Sequence, residues 1–192
     1  MFEDFEIEKV RATPEYVLSV FQDDHRQSVA LGEADEGLEI TFDTTIAEWR
    51  EEDDLRTWWE HAKALNRSWQ IKISRAEWRV VMKPAGANRL RGVCELIARE
   101  AMVPKLAPAT VFGIKCESAG AFFAIRQMLS DAGADVRGVA PSTPLAPFTR
   151  EFAGTFLGSI ASLSPGALPD IQYEGHPIRE CTMCGFGLGA AL

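Results

Sequence analysis

A chain of 192 residues, 46% hydrophobic and 25% charged, can bury a substantial core, and it fits one large domain or two small ones packed together. No stretch reaches the roughly 18 uninterrupted apolar residues that span a bilayer, and the acidic start Met1 to Glu6 lacks the basic region and apolar run of a secretory signal, so a soluble cytoplasmic protein is expected. The net charge of −8 argues against nucleic acid as the main partner, because neutralising phosphate calls for a basic surface.

Thr13-Pro14-Glu15 supplies a capping hydroxyl, a first-turn proline and a carboxylate suited to the helix dipole, and predicts a helix to about His25. Residues 28–32 and 38–43 read as strands around the turn-like Gly32 to Gly37, since Leu38, Ile40 and Phe42 alternate with polar neighbours. From Asp53 onward Leu55, Trp58, Trp59, Ala62 and Leu65 recur three and four apart, the pattern of a helix that Asp53 or Asp54 would cap. Trp69, Ile71 and Ile73 then alternate, and Glu77 to Met82 reads as another strand. After the break at Lys83 to Asn88, Leu90, Val93, Cys94, Ile97 and Ala101 form the apolar stripe of a second amphipathic helix, which makes Cys94 a core residue.

Val103 to Pro108, with two prolines, is the expected boundary between subdomains. Beyond it, Thr110 to Lys115 reads as a strand and Ser118 as the cap of a helix burying Ala121, Phe122, Ile125, Met128 and Leu129. Gly133 ends that helix, and Ala134 to Ala140 reads as a second strand, giving a β-α-β unit. A helix marked by Phe148, Phe152, Phe156, Ile160 and Leu163 follows, and Ser164-Pro165-Gly166 stops it. The expected fold is α+β: a mixed subdomain over 1–103, a β-α-β-α subdomain over 109–170 and a Gly-rich tail over 171–192, which could also pack as one compact domain.

Three groups of residues could carry function. Cys181 and Cys184 in the tail form a CxxC that, with His176 and Cys116, would make a tetrahedral zinc set or, alone, a redox pair. Four cysteines without a secretory signal otherwise read as reduced packing thiols. Ser118, Gly120, Ser142 and Thr143 would open helices at the ends of parallel strands, where free N–H groups can hold a small anion. Ordinary helix capping would explain the same residues.

The third group lies where the charge changes sign. Residues 1–60 carry 5 basic and 18 acidic residues and residues 61–192 carry 15 and 10, and all five tryptophans fall between Trp49 and Trp78. Arg67, Lys72, Arg75, Arg79 and Lys83 form the centre of this basic stretch, with Glu77 its lone acid between residues 61 and 91. Cations interleaved with aromatics could also hold a single-stranded nucleic acid or a nucleotide, but internal neutralisation by Glu48, Glu51, Glu52, Asp53 and Asp54 is the first reading of that surface, ahead of an acidic protein partner or a homo-oligomer and of nucleic acid. No histidine or serine sits in a catalytic motif. The leading expectation is a non-catalytic binding or regulatory module acting through charged surfaces, ahead of an anion-binding enzyme or sensor and of a zinc or redox protein.

Overall fold

The computed structural model describes residues 7–51 and 57–171. It is 53% helical with two small antiparallel sheets, an α+β fold. Contacts divide the chain into a larger unit, Arg11–Met102 with Leu168–Leu192, and a smaller one, Met1–Val10 with Val103–Ala167.

In the larger unit α1 (Pro14–Ala30) starts as expected, with the Thr13 side chain accepting from the Tyr16 N–H at 3.2 Å. It runs beyond His25 and absorbs residues 28–30, so the strand expected at 28–32 does not form. The helix ends where the Leu31 N–H reaches the Gln27 carbonyl and Gly32 takes a left-handed φ of 73° that only glycine adopts freely. Alongside Val17 and Phe21, α1 buries Asp23 and Gln27. These polar groups, with Arg26, hold the segment Leu168–Ile171. Arg26 pairs with Asp23 at 2.6 Å and with Asp170, and donates to the Leu168 carbonyl at 2.7 Å. Gln27 donates to the Pro169 carbonyl at 3.2 Å and accepts from the Ile171 N–H at 2.9 Å.

The strand expected at 38–43 is also absent. Ile40 is buried, but its carbonyl is taken by the Gln22 amide at 2.8 Å and the Thr41 N–H by the Thr44 hydroxyl at 2.8 Å. Side chains satisfy the backbone groups that a neighbouring strand would otherwise pair. Thr45 and Glu48 cap α2 (Ile46–Glu51) reciprocally, the carboxylate accepting from the Thr45 N–H at 2.7 Å.

α3 (Trp58–Ser68) is capped by Thr57 rather than by Asp53 or Asp54, through a capping box with Glu60. It buries Ala62 and Leu65. Residues 69–73, expected to alternate as a strand, form a turn and an extended link, with Gln70 at φ 54° and Ile71 and Ile73 buried. Glu77 to Met82 is helical, not a strand: α4 (Arg75–Met82) starts with a second capping box, Ser74 with Glu77, and buries Trp78 and Met82 one turn apart. That four-residue pair outweighs the β-preference of Val80 and Val81. α5 (Leu90–Glu100) buries Leu90, Val93, Cys94 and Ile97 completely, the stripe the spacing predicts, and packs along α1.

β1 (Glu8–Arg11) pairs with β2 (Met102–Lys105), all but Arg11 and Met102 belonging to the smaller unit, where β3 (Ala109–Val111) pairs antiparallel with β4 (Ile114–Cys116). The single strand expected at Thr110 to Lys115 is therefore a hairpin, folded at Phe112 and Gly113 with φ of 51° and 80°, the two left-handed residues of a tight hairpin turn. α6 (Glu117–Asp131) follows and ends at Gly133. Residues 134–140 form turns rather than a strand, the Val136 carbonyl accepting from Val139 N–H at 3.2 Å and from Arg126 Nε at 3.2 Å, so the expected β-α-β unit does not form. The face that α6 buries is Gly120, Ala124 and Leu129. Ala121, Phe122, Ile125 and Met128 are half-buried.

The helix expected around Phe148 and Phe152 is divided into α7 (Ala146–Glu151), α8 (Ala153–Thr155), a π-helical turn Phe156–Ile160 and a 3₁₀ turn Ala161–Leu163. Its apolar residues repeat every four positions, which in a straight α-helix rotates the stripe by about 40° per step. The wider π turn offsets that drift and leaves Phe156 and Ile160 on the buried side.

Candidate functional site

The basic stretch is built on α3, the link 69–74, α4 and the start of α5. Asn66 of α3 holds these pieces together. Its side chain donates to the Ile73 carbonyl at 2.9 Å and accepts from the Ile73 N–H at 3.2 Å and from Trp78 Nε1 at 3.1 Å. With Trp78 and Met82 fully buried, the other side of α4 faces solvent. Arg75, Arg79 and Lys83 follow one another at four-residue spacing and are all exposed, with Lys72 and Arg67 exposed just before them.

The tryptophans are used inside the unit. Trp69 meets Tyr16 and Phe21 edge-on at 6.3 Å, and Trp49 lies 5.0 Å from Phe21 and 4.6 Å from His61. Trp58 and Trp59 carry the Arg75 guanidinium at 5.8 and 5.4 Å, a cation–π contact that fixes this arginine. Arg91 likewise lies 4.3 Å over Phe42.

Neutralisation within the described residues does not follow the expected pairs. The Glu48 carboxylate is held low in pKa chiefly by its bonds from Thr45, with Arg89 a minor influence. Glu77 is bound by Ser74 and, at 2.5 Å, by Arg99, and these bonds hold its pKa at about 2. Glu52, Asp53 and Asp54, with the side chain of Glu51, lie outside the described residues. Among the described residues, Arg67, Lys72, Arg79 and Lys83 make no ion pair.

Between α4 and α5, on the Val80–Val81 side of α4, a shallow groove of roughly 240 Å³ is lined by Val80, Val81, Asn88, Arg89, Arg91, Gly92 and Glu95. Val80 is 73% exposed. The strand reading concealed this feature, because only on a helix does Val80 fall on the side away from Trp78 and Met82.

The other two groups fare differently. Gly120 is a packing residue: a Cβ there would lie 2.0 Å from the Ala107 carbonyl oxygen. Ser118 is exposed in the first turn of α6, whose N-cap, Cys116, makes no side-chain bond. Thr143 accepts from the Ala140 N–H at 2.9 Å and Ser142 is exposed in the same turn, so the four residues do not sit at the ends of neighbouring parallel strands. Cys116 is half-buried, whereas His176, Cys181 and Cys184 lie outside the described residues. Among the described residues no group of three or more potential ligands could hold a metal, and no helix is long and apolar enough to cross a membrane. Burial pushes the Cys94 thiol up to about 12, which leaves it an inert core residue.

Comparison with known proteins finds no matching family model, no similar curated protein and no similar solved structure.

Proposed function

We propose that the protein is a non-catalytic binding module whose working surface is the basic face of α4 with its adjoining groove, and that this surface takes an acidic protein segment. The observation that carries this reading is the set Lys72, Arg79 and Lys83, exposed and without ion pairs among the described residues, on α4 and directly before and after it, a helix anchored by the buried Trp78 and Met82. A fixed scaffold presenting unspent cations recognises a partner at little ordering cost. Exposed Val80 and the groove add an apolar contact that charge alone would not supply.

Affinity capture from cell extract, at about 0.05 M and 0.5 M salt, tests this with wild type beside the double variant Lys72→Glu/Arg79→Glu. Wild type is expected to retain acidic proteins at low salt and to release them at high salt, with the variant retaining none. Equal retention by both proteins would refute the assignment of this face.

A further inference from the structure

The groove between α4 and α5 adjoins a segment of opposite charge. Between Arg26 and Arg50 the sequence has no lysine or arginine, and Glu33, Asp35, Glu36, Glu39 and Asp43 of the loop that follows α1 are all exposed. Among the described residues none of these five carboxylates forms an ion pair. The loop borders Arg89 and Arg91, which line the groove. Arg91 N–H donates to the Phe42 carbonyl at 3.1 Å, Leu90 N–H to the Thr44 carbonyl at 2.9 Å, and Arg89 to the Asp43 carbonyl at 3.0 Å. Arg89 thus bonds to the backbone of Asp43, and Arg91 lies over Phe42, so acids and bases stand side by side without cancelling.

Two complementary patches that share a border suit one symmetry. When a second molecule is turned about a two-fold axis near that border, each acidic loop meets the other's basic helix, and both contacts form at once in a closed pair. The groove beside Val80 is rimmed by Arg89 and Arg91, and the loop offers half-buried Leu38 between Glu36 and Glu39, an apolar residue flanked by acids. Resting on the reading of the α4 face as a docking surface for an acidic segment, we infer that its partner is a second copy of this chain, whose acidic loop 33–43 seats on α4 and its groove in a reciprocal two-fold dimer.

The test exchanges the charges. One variant carries Arg79→Glu/Lys83→Glu and the other Glu36→Lys/Glu39→Lys, and each is weighed by sedimentation alone and mixed. Wild type is expected to dimerise at low salt, with a Kd at least about tenfold weaker at 0.5 M salt. Each variant alone is expected to be a monomer, since both of its contacts become like-charged. The mixture should restore a discrete one-to-one dimer, because both contacts then pair opposite charges again. A wild-type monomer at every salt concentration, or a mixture that stays monomeric, overturns the inference, as does a mixture that grows into open chains. Circular dichroism of each variant shows that it is folded, so loss of association is not loss of structure. If wild type is monomeric yet still captures acidic proteins in a manner lost with Lys72→Glu/Arg79→Glu, the docking surface stands and only its partner is wrong. If it does neither, both readings fall.

Discussion

In the larger unit the starts of α1, α2, α3 and α4 are closed by side chains, three of them reciprocally, and only that of α5 is not, whereas in the smaller unit none of α6, α7 and α8 has a side-chain cap. Burial differs in the same direction. Trp78, Ile46, Met82, Leu90 and Ile97 are fully enclosed in the larger unit, while in the smaller one Leu129 is the largest such residue and Phe112, Ile114, Leu106, Leu145 and Leu157 are exposed. One unit is held by interlocking side chains, the other by the close approach of backbone to backbone at Gly120. The surface proposed for binding lies on the first kind of scaffold, where the backbone that carries its cations need not be ordered on binding.

The comparison can be broken at its strongest point. Trp78→Ala removes an enclosed ring and the indole bond to Asn66, and it is expected to cost about 4 kcal/mol in urea denaturation followed by circular dichroism. A loss below about 1 kcal/mol would show that the α3–α4 core repacks easily, contrary to the account above. In the smaller unit Gly120→Ala is expected to cost about 3 kcal/mol, since its methyl group would have to displace the backbone at Ala107. Hydrogen exchange should show the loss of protection centred on β3, β4 and α6. A neutral outcome would mean that the hairpin is not seated on this helix.

The smallest effect sharpens the role of the caps. Glu77 is half-exposed, and its pKa falls from 4.5 to about 2 through its bonds from Ser74 and Arg99. The unfolded chain takes up this proton first as pH falls, so the stability that Glu77 contributes is whole above 4.5 and drains away toward 2. Melting temperatures of wild type and Glu77→Gln should therefore differ most above 4.5 and converge toward 2. A constant gap across that range would assign the effect to packing instead of charge.

What could be read in advance was whatever short spacing decides. The α1 start at Thr13 and Pro14, the α5 stripe with Cys94 inside it, and the stops at Gly133 and Ser164 to Gly166 follow from capping chemistry and from neighbours three and four residues apart. Alternation misled wherever no second strand was at hand. Leu38, Ile40 and Phe42 alternate, yet Gln22 and Thr44 satisfy the backbone there, and in Glu77 to Met82 the helix is set by the Ser74 and Glu77 cap rather than by Val80 and Val81. The β-α-β reading failed at both strands: residues 134–140 form turns, and Phe112 and Gly113 fold the first strand back on itself. The five cations of the candidate surface were visible as a count, but the groove and Val80 depend on α4 being a helix. That Glu48 serves a cap, and so does little to neutralise the patch, depends on which partner its carboxylate selects in three dimensions.

The clasp between α1 and Leu168–Ile171 has a consequence for how the molecule comes into being. Gln27 and Ile171 are 144 positions apart, so during synthesis the amide of Gln27 emerges long before its mate exists. At about 5–20 residues per second that wait is roughly 10 s, longer than most small domains need to fold. The first helix of the larger unit therefore spends its early life with its polar residues facing water. Only after residues 168–171 have been made can that segment close over the helix.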